Sequence, residues 1–359
     1  MTIHVETPSI DIKERLLELS RPVGLSGSQV MAADSLKDLH TITGIGGRRN
    51  LLHNGGFTIW SAGESTTRTS NGYNYDYAPD QFTSYFAGTN TREVATLPTG
   101  ERVSSWRLTL GAGSATRPNW TFIVEDMAKK VGRRPLTLSW WQRCSKNTNT
   151  ACKPRLFSMQ VGRFNGGAGT YSESCDTNRF VSGGTFWEHK RVTFHPTDNI
   201  YNHDHLLVES DPPSGDWGAG DWLELANMQL EVGPVATPFE YMSEAESQSI
   251  ANRYYTKFSM GSYMRYALGY SDVNNRIYTT INLPSVMRTY NPVITQTNLT
   301  VQGQAVTSIS TSATAGNHSN GLATVIFNVG GTPFTPGSMY QVYSSGALNT
   351  HNLTFDSRI

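Results

Sequence analysis

Charge is scarce in this chain: Asp, Glu, Lys and Arg make up 16% of its 359 residues, and 29 basic side chains cancel 29 acidic ones. With no basic excess to neutralise phosphates, nucleic acid is not an expected partner. Long apolar runs are also missing. None approaches the roughly 20 residues that a membrane span requires, so membrane insertion is not expected. The N-terminus has no basic patch followed by an apolar core, which points to synthesis in a cytosol without a secretory signal. Cysteine is limited to Cys144, Cys152 and Cys175, which cannot all pair within one chain. Cys144 and Cys152 can face each other across a hairpin, but cytosolic synthesis favours reduced, partly buried thiols.

What the chain has in plenty is 33 Gly, 16 Tyr, 14 Phe and 8 Trp, among many Thr, Ser and Asn. Thr and aromatic side chains suit a pleated surface and Gly permits tight turns, so a mainly β fold is expected. Val103 to Leu110 sets Val103, Ser105, Arg107 and Thr109 on one face and Ser104, Trp106, Leu108 and Leu110 on the other. Leu136, Leu138 and Trp140 likewise oppose Thr137, Ser139 and Trp141. The most informative segment is Trp222 to Glu240, WLELANMQLEVGPVATPFE. An alternating strand there runs into Gly233-Pro234 and Pro238, which cannot continue a ladder. Short strands at this spacing without intervening helices indicate a β-sandwich.

Four regions follow: an arm over 1–47, a sandwich over 48–241, a helical connector over 242–258 and a second β domain over 259–359. In the arm, Ile12, Leu16 and Leu19 share a helical face, and Ser26 with Gln29 can open a second short helix to about His40. Two short helices cannot bury a core alone and need a partner surface. The connector helix is expected over Glu244 to Tyr255 with Ala245, Ile250 and Ala251 as its apolar stripe. In the last region, strands are expected at 264–268, 276–283, 293–296, 299–301, 323–329, 340–343 and 352–355. Its few large aliphatics suggest a homotrimer in which neighbouring chains cover each other's edges.

Sugar recognition needs flat apolar faces for pyranose C–H groups, with polar groups nearby for the hydroxyls. Tyr73, Tyr75 and Tyr77 alternate in GYNYDY; Trp141 lies opposite Leu136, Leu138 and Trp140; Trp187 opens a strand; and Trp217 sits in the loop SGDWGAGD, where little can bury it. Tyr73, Tyr75, Trp141, Trp187 and Trp217 are therefore the candidate platforms, with Trp217 foremost. Tyr73, Tyr75, Trp141 and Trp187 serve equally well as core, and Trp60, Trp106, Trp140 and Trp222 are read as core. His203-Asp204-His205 places two imidazoles on one side of a strand, but no further ligands appear at useful spacing, so no metal is assigned. For catalysis, paired carboxylates exist at Asp76 with Asp80, Glu125 with Asp126, and Asp211, Asp216 and Asp221. Most lie in Gly/Pro loops, where turn formation accounts for them. No Ser-His-Asp spacing, phosphate-cradling loop or CxxC is present, so the chain reads as a binder and not an enzyme.

The strand ending QLE, then VG, then ATPFE, followed by a polar helix-like stretch and Tyr254-Tyr255, resembles the sandwich-to-tip junction of bacteriophage tail-fibre proteins. Asn50-Leu51-Leu52-His53-Asn54-Gly55-Gly56-Phe57-Thr58-Ile59-Trp60, the stretch from Val124 to Trp141, and Leu283-Pro284-Ser285-Val286-Met287-Arg288 extend the resemblance, in order, over roughly residues 50 to 290. It implies a jelly-roll domain resembling carbohydrate-binding modules, a virion-docking arm and attachment to a host surface glycan. Modules of similar build often hold one structural Ca²⁺, for which Asn54, Asp221 and Glu240 offer oxygens here. Two alternatives remain: a purely architectural virion subunit (decoration, baseplate or collar) and a polysaccharide depolymerase.

Overall fold

The structure, a computed structural model, describes residues 48–69, 79–112, 118–125, 131, 134–145, 153–159, 170–174, 185–195, 205–211, 217–260, 265–272, 275–287, 293–297, 299–301, 306–313, 322–331, 334–344 and 351–356. The arm helices, Tyr73, Tyr75, Cys152, Cys175, His203 and Asp204 lie outside them.

Two antiparallel sheets enclose the first core. One has the order β1 (Ser65–Arg68), β3 (Gly88–Thr96), β4 (Arg102–Leu110), β11 (Trp222–Val232), β6 (Leu136–Cys144), β9 (Glu188–Phe194). The other runs β2 (Phe82–Tyr85), β5 (Asn119–Val124), β10 (His205–Asp211), β7 (Lys153–Met159), β8 (Thr170–Ser174). Trp106, Leu108, Trp140 and Leu225 from the first sheet join Phe82, Trp120, Phe122, Leu206 and Val208 from the second in one buried cluster. A β-sandwich results. Edge-on ring contacts such as Phe57–Phe82 at 4.9 Å and Trp120–Trp140 at 6.1 Å add to the area buried. Trp60, Trp106 and Trp140 are buried, as expected, and Cys144 is a buried free thiol.

Strand β11 changes phase midway. Leu223 and Leu225 face the core before a bulge, and Met228 and Leu230 face it afterwards. The register with β6 slips between Ala226 and Gln229, and Asn227 takes a φ of 45° to accommodate the extra residue. The loop that opens the sandwich packs on this bulge. Gly55 accepts from Met228 N–H at 2.8 Å, and a Cβ on Gly55 would lie 2.0 Å from the Met228 carbonyl oxygen, so only glycine permits the approach. Asn50 Oδ1 accepts from the backbone of Leu52 and Leu230, and Glu240 Oε2 accepts from the backbone N–H of Arg49 and Asn50. The ATPFE corner is fixed from within: Glu231 accepts from Thr237 N–H and its hydroxyl, while Gln229 accepts from Glu240 N–H.

Helix α1 (Glu244–Ala251) is capped by Ser243, whose hydroxyl accepts from Glu246 N–H. It is shorter than the sequence suggests, because Tyr255 already begins β12 (Tyr255–Met260). Its buried residues are Ser247 and Ala251, whereas Ala245 is exposed and Ile250 half-buried, which corrects the expected stripe. His53 stacks on Tyr254 at 5.5 Å, tying connector to sandwich.

Beyond it, β12 pairs with β20 (His351–Asp356), which pairs with β15 (Val293–Thr297). A second sheet has the order β16 (Leu299–Val301), β19 (Met339–Ser344), β13 (Arg265–Ser271), β14 (Arg276–Asn282), β18 (Leu322–Gly331), β17 (Val306–Ala313). Ile277, Val325, Phe327, Val342, Leu353 and Phe355 are fully buried in a separate cluster, a fuller core than the Thr- and Ser-rich sequence suggests. No helix among the described residues is long and apolar enough to cross a membrane.

Candidate functional site

The face of the six-stranded sheet turned away from the core carries the densest combination of rings and charge. Alternation sends Trp222, Glu224 and Ala226 of β11 to this side, because Leu223 and Leu225 point inward. Register then sets their neighbours: Glu224 lies opposite Arg107 of β4 and opposite Arg143 of β6, and Ala226 lies between Ser105 and Trp141. Trp141 in turn pairs with His189 of β9.

Glu224 is 0% exposed and is satisfied from three sides. Arg107 donates Nε and Nη2 to Oε2 at 3.1 and 2.8 Å. Arg143 donates Nε to Oε2 and Nη2 to Oε1, both at 3.1 Å, and Ser105 Oγ donates to Oε1 at 2.6 Å. A buried carboxylate is tolerated only with such partners, and here they also immobilise both guanidinium planes. Those planes lie over rings. Arg107 stands 4.7 Å and Arg143 5.8 Å from the Trp222 centroid, and Arg143 is also 4.7 Å from that of Trp187. Glu93 lies 3.8 Å from Arg107 Nη1.

Below this row, Trp141 and His189 meet at 5.1 Å, and Trp141 and Trp187 rest on Ala95, Leu97, Val103 and Ala226. Burial, then the nearby Arg191 charge, holds the His189 imidazole below its ordinary pKa and so favours the neutral ring. Phe186, at the approach to β9, is 78% exposed. The surface is therefore a run of half-buried indoles crossed by two fixed cations, with an exposed phenyl at its margin.

The structure thus brings Trp141 and Trp187 together and adds Trp222, Arg107, Arg143 and Glu224. Trp222 had been read as core; it is half-buried on the outward face, since it shares parity with Glu224 and not with Leu223. That parity is visible in WLELA. Trp217 also departs from expectation. Despite its glycine-flanked loop it is only 9% exposed and packs into the main core. Asn54 Oδ1 accepts from Thr58 and Ile59 N–H, Asp221 Oδ2 from Gly218 N–H, and Glu240 Oε2 from two backbone amides, so each of these three residues already spends a side-chain oxygen on the chain itself. Among the described residues no group of three or more His, Cys, Asp or Glu is placed to hold a metal ion.

No protein-family model and no curated protein matches the chain. Solved structures that it resembles include the arabinose-bound α-L-arabinofuranosidase MgGH51, at 13% identity and a TM-score of 0.32, covering 57% of this chain and 30% of that one. The tandem CBM22 domains of Paenibacillus barcinonensis Xyn10C align at 10% identity and a TM-score of 0.27, over 81% of this chain and 94% of theirs. Botulinum neurotoxin type C, which interacts with two ganglioside molecules, aligns at 9% identity and a TM-score of 0.26, over 82% and 98%. The chain thus spans about a third of the solved arabinofuranosidase chain and nearly all of the other two solved chains. Every one of these scores lies below 0.5, and what the sandwich does has to be argued from its own residues.

Proposed function

We propose that the outward face of the six-stranded sheet binds carbohydrate without transforming it, and that the chain is a receptor-binding fibre protein of a tailed bacteriophage. The observation that supports the sugar-binding part of this reading is the Arg107–Glu224–Arg143 triad stacked on Trp222 and Trp187. The guanidinium–indole stacks make a flat, rigid surface on which pyranose C–H groups can lie, and each guanidinium is held through Nε and Nη2 on Glu224, with Arg107 Nη1 turned toward Glu93 at 3.8 Å. Because Glu224 fixes both arginines beforehand, a sugar hydroxyl meets donors already in place and little ordering entropy is lost on binding.

In this reading residues 48–241 form a jelly-roll module, residues 1–47 dock on other tail or capsid proteins, and the chain assembles as a homotrimer in the virion. Single sugar contacts of this kind are weak. Three copies on one fibre convert them to useful avidity through effective concentration. The deciding experiment is a glycan array probed with the intact chain and with a Trp222→Ala/Trp187→Ala variant. Binding by the parent, lost in the variant, supports the reading; binding by neither overturns it.

A structural-subunit reading draws on a different observation. Leu268 and Met339 are each 59% exposed, and Tyr270 is 52% exposed beside Met339 on the neighbouring strand, an apolar patch suited to protein contacts.

A further inference from the structure

Charge is spread unevenly over the outward face of the six-stranded sheet. Arg107 and Arg143 both end on Glu224, and Arg107 also lies 3.8 Å from Glu93, so on β3, β4, β11 and β6 two cations meet two carboxylates. Glu231, further along β11, is 3% exposed and is closed over by the Thr237 corner. Arg191 on β9 has no such counterpart: it is exposed, and no carboxylate pairs with it among the described residues. Glu188 and Lys190 of the same strand bond each other and share the parity of Val192 and Phe194, not that of Arg191. Glu93 is four strand spacings from β9, about 19 Å, well beyond the roughly 8 Å over which physiological salt leaves a surface charge unscreened.

Parity and register fix where that unmatched cation stands. Val192 and Phe194 turn to the core, so His189 and Arg191 of β9, with Trp187 just before it, share the outward side. His189 lies opposite Trp141, and Arg191 lies opposite Ser139. Arg191 is thus the diagonal neighbour of Trp141, about 7–8 Å away on the sheet, a separation that a long side chain spans. Burial first and the Arg191 charge second favour a neutral His189 imidazole, which offers one donor and one acceptor and adds no charge of its own. The margin formed by Trp141, His189 and Arg191 therefore joins an indole, a neutral hydrogen-bonding ring and one uncompensated guanidinium.

We infer, on the footing that this face binds sugar, that the glycan it holds carries an anionic substituent, received by Arg191 while the ring bearing it lies against Trp141 and His189. A guanidinium is a planar fork of donors that carboxylate and phosphate both match, so uronic acids and sugar phosphates are two sources of the same chemistry. Arg107 and Arg143 are already held by Glu224, which leaves Arg191 as the cation whose charge an incoming anion neutralises.

Saturation-transfer NMR with the full-length chain tests this with matched probes: methyl glucuronide against methyl glucoside, methyl galacturonide against methyl galactoside, and glucose 6-phosphate against glucose. At about 50 mM salt at least one acidic probe is expected to bind about threefold or more tightly than its neutral twin, and the preference is expected to shrink at about 500 mM. Arg191→Gln is expected to bring that pair to within about twofold, Arg191→Lys to keep part of the preference as a point charge without the fork, and Arg265→Gln, on β13 of the second domain, to leave it whole. Preference for the uronides alone identifies a carboxylate, and preference for the sugar phosphate alone a phosphoryl group. Equal binding within every pair, or a preference that survives Arg191→Gln, overturns the inference and leaves the sheet face as a site for neutral glycans. Silence from every probe overturns it as well; a glycan-array signal then preserves the sugar-binding reading beneath it, and a blank array removes both.

Discussion

Arg143 joins Glu224 to Trp187: its Nη2 lies 2.9 Å from Glu224 Oε2 while its guanidinium carbon stands 4.7 Å from the Trp187 ring centroid. One side chain therefore couples the buried charge of the sheet to its half-exposed aromatic surface.

Glu224→Gln should cost about 3 kcal/mol of stability, because it leaves two guanidinium groups facing each other without the carboxylate that neutralises them. Urea unfolding at pH 7 checks this. A loss below about 1 kcal/mol would mean that the partly exposed arginines simply turn to water.

The tryptophans should separate into two classes. Trp222→Ala and Trp187→Ala are expected to abolish glycan binding while lowering stability little, since both rings are half-buried. Trp217→Ala is expected to cost about 3–5 kcal/mol by emptying a core position. Parallel thermal melts and array signals on the three variants distinguish loss of fold from loss of ligand.

Acid should weaken the junction through His53. Its burial, with Arg48 and Arg253 nearby, lowers the imidazole pKa from 6.5 to about 3. The unfolded chain therefore binds a proton between these values while the folded chain does not. Stability from this group is complete above pH 6.5 and falls by about 1.4 kcal/mol per unit as pH drops toward 3. Denaturant midpoints at pH 7 and pH 5, compared between parent and His53→Gln, measure it; equal pH slopes would contradict the assignment.

Gly55→Ala should destabilise by more than about 1 kcal/mol, because its new methyl group would meet the Met228 carbonyl at 2.0 Å. Gly63→Ala is the contrasting control: it has open space but a φ of 121°, so its cost is backbone strain alone. A calorimetric midpoint for Gly55→Ala equal to that of the parent would show that the bulge can give way.

Sequence alternation carried much of this architecture. Val103, Ser105 and Arg107 share a face in the sheet as they do in the sequence, and Leu299–Val301 is a strand with the expected bounds. Missed were β1, β2, β3 and β8 in the sandwich and β12 and β17 beyond it; the Ser- and Thr-rich β17, for one, gains strand character only by pairing with β18. The site was half legible. Trp141 and Trp187 could be nominated from strand position, but their meeting with Arg107 and Glu224 depends on β4 and β6 flanking β11, a pairing between segments up to 119 residues apart. Trp217 was misjudged because local glycines report a turn and not where that turn lands. For Tyr73 and Tyr75 the described residues say nothing.

The amides of Arg49 and Asn50 both end on Glu240, some 190 residues further along the chain. Tension applied to the chain on either side of Arg49 and Glu240 would cross the sandwich through this short clasp and the Leu51–Leu230 hydrogen bond beside it. The long excursion between the two ends would hang slack from the line of force. Trp222 lies within that slack excursion, so the outward face keeps its geometry while the clasp bears the load.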